Sequence, residues 1–190
     1  MVLHNKHFSP RVWNKKYIKD SHNCYEYALN KISLDNAIEC KRNHKKNISC
    51  GYLKHQPGLS AGIADIKNRK YTCKKIEKRL KKDNKHLYKS KKPCKKGYFK
   101  FGLVVRPNRR YHFYRKHANG SWSHKEGQTA ATNLDASGKK IYSLEKADKK
   151  YPNHRYTKVC GEYCVPKHVP RNSAHTKTKK RKNYRRRHNL

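Results

Sequence analysis

"GYFKFGLVVRPNRRYHFYRKHANGSWSHK", residues 97–125, decides the fold. Phe99, Phe101, Leu103 and Val105 alternate onto one face, the pattern of a strand with one side against a core. "PNRR" (107–110) turns the chain into a second, aromatic-rich strand, "YHFYRKH" (111–117). "ANG" (118–120) is a hairpin signal, and "SWSHK" (121–125) returns. Because side chains alternate, the length of that turn matters. Two residues in the turn, Asn119–Gly120, would send His112 and His124 to opposite faces. Three residues, 118–120, pair 117 with 121 and set His124 opposite Tyr114, on the face of His112. Glycine at 120 suits the second turn, where φ must be positive. We therefore expect three.

Upstream, "SHNCYEYALN" (21–30) is the best-signalled helix. Asn23 is a good N-cap and Glu26 stands in the capping-box position. Tyr25, Ala28, Leu29 and Ile32 are expected to line its buried side. Residues 1–19 read as a basic lead-in anchored by Trp13 and Tyr17, and 40–66 as loop-rich, broken by "CGY" and "HQPG". From Lys67 to Lys100 there are 16 Lys and Arg against two acids, Glu77 and Asp83. Ile76, Leu80 and Leu87 give that block a thin apolar stripe, so a basic surface helix ended by Pro93 is expected. Further strands are expected near Ile141 and within "RYTKVCGEYCV" (155–165). Helix first, then antiparallel meander, is α+β. The expected domain is 20–166, followed by a basic, disordered tail at 167–190.

The charge is extreme: 50 Lys and Arg against 12 Asp and Glu, a formal +38 over 190 residues. Such a chain calls for a polyanionic partner, nucleic acid first, with an anionic membrane surface or another acidic polymer behind it. Compositional drift towards Lys, Asn, Tyr and Ile is the alternative origin. Lys179, Lys180, Arg181, Lys182, Arg185, Arg186 and Arg187 in the tail are the candidate nucleic-acid contacts, and non-specific ones, since no sequence-reading motif is present. No apolar run reaches the ~18–20 residues of a membrane span. The N-terminus lacks an apolar secretory segment, so an intracellular protein is expected, or one assembled into the virion of a large DNA virus.

Seven cysteines are an odd number. Without a secretory signal, free thiols, a metal site or a redox-active cysteine are expected in preference to a disulfide framework. His154, Cys160, Cys164 and His168 could bind zinc, but their spacings match no standard finger. Buried cysteines on a closing strand are the reading carried forward, with no metal and no cofactor.

Cys24 would be the first residue of its helix, where the dipole and free N–H groups lower a thiol's pKa. A nucleophile there needs an imidazole and a third polar group to orient it. His112 is the candidate base and His124 the orienter, with Asp135 of "NLDASG" as the alternative third residue. A cysteine opening a helix, then a Gly-Pro-type loop ("QPG", 56–58), then a histidine on a hairpin, resembles the NlpC-type papain-like cysteine hydrolases. "NCYEYA" (23–28), "QPG", "YHFYR" (111–115), "WSHKEG" (122–127), "LDASG" (134–138) and "CGEYCVP" (160–166) are together similar to a family of bacterial and large-DNA-virus proteins. The resemblance implies a papain-like core in which Cys24, His112 and His124 cleave an amide or ester. The NlpC-type pattern has Asp after "PG", where this chain has Leu59. The other class is a non-catalytic basic virion or nucleoid protein on the same scaffold. The two differ in one distance: a hydrolase needs Cys24 Sγ and a His112 ring nitrogen within about 4 Å.

Overall fold

The computed structural model describes residues 7–167. Four helices, α1 (Lys16–Ser21), α2 (Cys24–Ala28), α3 (Leu34–His44) and α4 (Cys73–Asp83), precede eight strands. These are β1 (Tyr88–Lys89), β2 (Tyr98–Arg106), β3 (Arg110–Lys116), β4 (Trp122–Lys125), β5 (Ala131–Thr132), β6 (Lys150–Tyr151), β7 (His154–Arg155) and β8 (Lys158–Pro166). The architecture is α+β. Six strands make one antiparallel sheet in the order β1-β8-β2-β3-β4-β5, and β6-β7 form a separate ribbon.

The two faces of this sheet are buried differently. Phe101, Leu103 and Val105 of β2, Phe113 of β3 and Tyr163 and Val165 of β8 meet Tyr25, Ala28 and Leu29 of α2 and its C-cap, and Ile76 and Leu80 of α4. Val104, Tyr114 and Trp122 look the other way, onto Ile141, Leu144 and Tyr156. Gly102 faces that second layer. A Cβ there would collide with the Leu144 side chain, so only glycine lets the covering segment close onto β2.

The hairpin turn has three residues. Tyr114 pairs with His124, His117 N donates to Ser121 O (2.8 Å), and Gly120 takes φ +82°. Strand β8 carries a bulge opposite Leu103 and Val104, where Cys160 is the extra residue.

Five expectations need correction. The lead-in is part of the domain: Trp13 is fully buried with Ile18, Tyr27 and Ala131, and Asn14 Oδ1 accepts from Ala131 N (2.7 Å). Helix α2 stops after five residues, because Asn30 turns left-handed (φ 51°), and Ile32 packs near Trp13 instead. Residues 34–44, partly assigned to a loop, form α3, capped by Ser33. Ile141 makes only an isolated bridge to Trp122. The basic block does form a helix with Ile76 and Leu80 fully buried, but it ends at Asp83 with Asn84 as C-cap, well before Pro93, and Leu87 packs beyond its end.

The expected free thiols are largely absent. Cys40–Cys50, Cys73–Cys160 and Cys94–Cys164 are disulfides, and Cys24 alone is free. The odd count is satisfied by one buried thiol, not by a set of reactive ones.

Candidate functional site

Asn23 and Glu26 build the start of α2. Asn23 Oδ1 accepts from Tyr25 N (2.9 Å) and Glu26 N (3.2 Å), and Glu26 Oε2 accepts from Asn23 N (2.9 Å). Glu26 Oε1 also pairs with His55 Nδ1 at 3.0 Å, tying the cap to the segment before "QPG". That places Cys24 against the sheet with 8% of its surface exposed, in the cluster of Phe101, Leu103 and Phe113. Burial pushes its thiol up to about 12, although a backbone hydrogen bond from Phe113 works the other way. This thiol is protonated at neutral pH. A helix start lowers a thiol's pKa and apolar burial raises it, and at Cys24 burial outweighs both the helix start and the Phe113 hydrogen bond.

His112 and His124 meet as parity requires. His124 Nε2 lies 3.0 Å from the Leu134 carbonyl, so it carries the proton. Its Nδ1 is then an acceptor, and His112 Nε2–H donates to it at 2.9 Å. His112 stacks on Tyr156, ring centroids 5.3 Å apart, and Tyr114 meets it edge-on. Burial holds His112 well below the ordinary imidazole range, and the neighbouring His124 adds to this. Burial likewise lowers His124 to about 4, against the Leu134 carbonyl and the charge of Asp135. Both rings are neutral at pH 7.

The pair and the thiol are on opposite faces of the sheet. Phe113 shares the cluster of Cys24, and the residues on either side of Phe113 along β3, His112 and Tyr114, point away from it. Cys24 has no hydrogen bond to an imidazole among the described residues. The predicted constellation is therefore two-thirds assembled: His112 with His124, without Cys24. Asp135 is engaged elsewhere. It accepts from Ser137 N (2.9 Å), Lys139 N (3.0 Å) and Asp148 N (3.0 Å), shaping its own loop. Desolvation opposes this, but those bonds hold its carboxyl below the usual range.

The expected zinc set does not converge. The β8 bulge sends Cys160 to the helix face and Cys164 to the other, and each sulfur is spent in a disulfide. His154 lies 2.6 Å from Glu126, and His168 lies outside the described residues. Cys40, His44 and Cys50 do come together, but two of them are bonded to each other. A cavity of about 90 Å³ lies under "QPG", lined by Gln56, Asp65, Tyr71, Arg79 and Tyr111 among others. It is smaller than an ordinary ligand pocket and holds no imidazole. The tail cations Lys179 to Arg187 lie outside the described residues.

Sequence reasoning missed Lys125. Its ammonium is fully buried and donates to the carbonyls of Lys19 (2.6 Å), His22 (2.8 Å) and Gly127, locking α1 to β4. Burial, then Lys54, lowers it to about 8. Strand parity was the signal that could have found it, since Lys125 shares its face with Ser123, which meets Tyr27.

No helix among the described residues is long and apolar enough to cross a membrane. No family model matches the chain, and no solved structure matches it. Insoluble matrix shell protein 1 of Ruditapes philippinarum is 32% identical over 146 residues, 75% of this chain and 80% of the relative. At that identity and coverage, the chain belongs to the family of insoluble matrix shell protein 1.

Proposed function

We propose that this is a non-catalytic, extracellular matrix protein, a disulfide-locked cationic domain that holds polyanions. The observation that carries it is the pairing of six of seven cysteines, with the seventh buried away from both histidines. Disulfides persist in oxidising compartments and are rare where thiols are kept reduced, so an intracellular nucleoid role loses its basis. The net +38 then has to be answered by extracellular acids. The relative's name, a matrix protein of a shell, supports the same setting. The test is retention of the oxidised full chain on an immobilised polyanion, with heparin as the probe. Retention at physiological salt, lost steeply as salt rises, is expected from counterion release. Elution at or below physiological salt would overturn the proposal.

The papain-like cysteine hydrolase is a second reading, favoured by one observation: Cys24 alone stays out of the disulfides while opening a capped helix. It requires Cys24 to reach an imidazole. Alkylation of the native, unreduced protein by iodoacetamide at pH 7.5 separates the two. The matrix reading expects labelling many-fold slower than that of a free thiol. Rapid labelling, slowed by His112→Ala, would favour the hydrolase.

A further inference from the structure

The most basic part of the described chain is built as a surface. Helix α4 contains two acids among its lysines, and the fold consumes both. Glu77 accepts from Tyr163 OH and pairs with Lys89 (3.2 Å) rather than with Lys81 one turn on. Asp83 accepts from Gly58 N (2.6 Å), Ala61 N (3.1 Å) and Tyr25 OH (3.0 Å). Arg79 is turned inwards onto the Ala64 carbonyl. Lys74, Lys78, Lys81 and Lys82 remain exposed, with no ion pair among the described residues. A helix evolved for solubility alone would spend its acids on i, i+4 pairs.

The same segment is pinned at both ends to one strand. Cys73 at the start of α4 is bonded to Cys160 on the helix face of β8. The chain then passes the sheet edge as β1, and Cys94 is bonded to Cys164 on the opposite face. There the buried Lys100 ammonium gathers the carbonyls of Ser90 (2.8 Å), Lys91 (3.1 Å) and Lys92 (2.8 Å), leaving the Lys91 and Lys92 side chains exposed. A mainly basic band thus wraps the sheet edge, its carboxylates Glu77 and Glu162 paired with Lys89 (3.2 Å) and Lys100 (2.9 Å), and two covalent bonds hold it against its own repulsion. The backbone N–H of Lys167, the last described residue, donates to Gly97 O (2.8 Å), just past Cys94 in the chain.

We infer that this band, from Lys74 on α4 round to Lys92, is the docking surface for a linear acidic polysaccharide, sulfated or carboxylated. The inference rests on the matrix reading and deepens it. The partner class follows from what the band lacks as well as what it has. Ile76 and Leu80 are buried, so α4 offers a protein partner no apolar anchor. Its outer face carries no aromatic ring on which bases would stack, and the Tyr88–Tyr98 ring pair further round the band has the Lys95 ammonium over it (5.7 and 4.5 Å). Lysines are point charges, suited to a chain of spaced anions rather than to bidentate pairing. Lys74 and Lys82 lie about 12 Å apart along the helix, so one extended polyanion spans them.

The test compares two triple variants of the oxidised full chain, each removing three charges. One is Lys74→Gln/Lys78→Gln/Lys82→Gln, on the band. The other is Lys139→Gln/Lys140→Gln/Lys146→Gln, at exposed positions elsewhere. Heparin and polygalacturonate are the probes, with a DNA duplex as competitor. The band variant should lose at least tenfold in affinity and flatten the log–log salt slope by about two to three, while the other loses less than threefold. Equal losses would overturn the band, leaving diffuse charge. A duplex that outcompetes heparin at equal charge would overturn the partner class. If the unmodified chain binds neither probe at physiological salt, the matrix reading itself fails, which is a different outcome from equal losses.

Discussion

The two faces of the central sheet are filled by different chemistry. On the helix face, Phe101, Leu103, Phe113 and Tyr163 pack against Ile76 and Leu80, and the Cys73–Cys160 bond closes the layer. On the other, His112, His124, Tyr114, Tyr151 and Tyr156 form a contiguous set of rings in which hydrogen bonds accompany apolar contact. The first face depends on burial that no proton changes. The second depends on two imidazoles staying neutral. The contrast makes the faces separable by experiment.

The largest effect is expected on the helix face. Phe101→Ala should cost about 3–5 kcal/mol in urea unfolding, by loss of transfer energy and the cavity left behind. That cost should be the same at pH 7 and pH 5. A cost that changes by more than about 1 kcal/mol between them would mean the faces are not independent.

Acid should act on the other face. His112 and His124 are depressed in the fold, so the unfolded chain binds more protons below its own imidazole pKa near 6.5. Stability is therefore complete above about pH 6.5 and falls as pH drops towards 4, by up to about 1.4 kcal/mol per pH unit per histidine. His22 and His154 are depressed too, so the informative quantity is the difference between the natural chain and His124→Gln. The variant should show the shallower acid slope. Parallel profiles between pH 7 and 4.5 would remove the histidine pair from the account of this face.

The smallest effect concerns the turn that brings the pair together. Gly120→Ala places a Cβ at φ +82°, where nothing lies within 4 Å, so only backbone strain is added. A loss of about 1 kcal/mol is expected, with the acid slope unchanged. An altered acid slope would show that the register had slipped and parted the histidines.

Much of the hairpin was legible because its information is local. Alternation in "GYFKFGLVV", glycine at 120 and the Asn23–Glu26 capping box each need only a few neighbouring residues, and each stands in the structure. Helix α3 was not legible, since its polarity is inverted: Leu34 and Ile38 are 68% and 52% exposed, while Asn36 and Asn43 are buried. Asn36 reaches the Leu53 carbonyl (3.0 Å) and Asn43 the Tyr52 hydroxyl (2.8 Å), partners far enough along the chain that no periodicity announces them.

By itself, then, the sequence determined the α+β order, the register that unites His112 with His124, and the sign of the charge. These follow from backbone periodicity, turn stereochemistry and composition, all short-range or additive properties. Only the tertiary structure decided that Cys24 lies across the sheet from His112, and that Cys160 and Cys164 part at a bulge to bind Cys73 and Cys94. It also decided that Glu77 and Asp83 turn inwards and leave the lysines of α4 unopposed. The reason is the same in each case: a strand's two faces and a helix's two sides acquire their partners from segments distant in the chain, and a side chain's pKa, pairing and reach come from those partners.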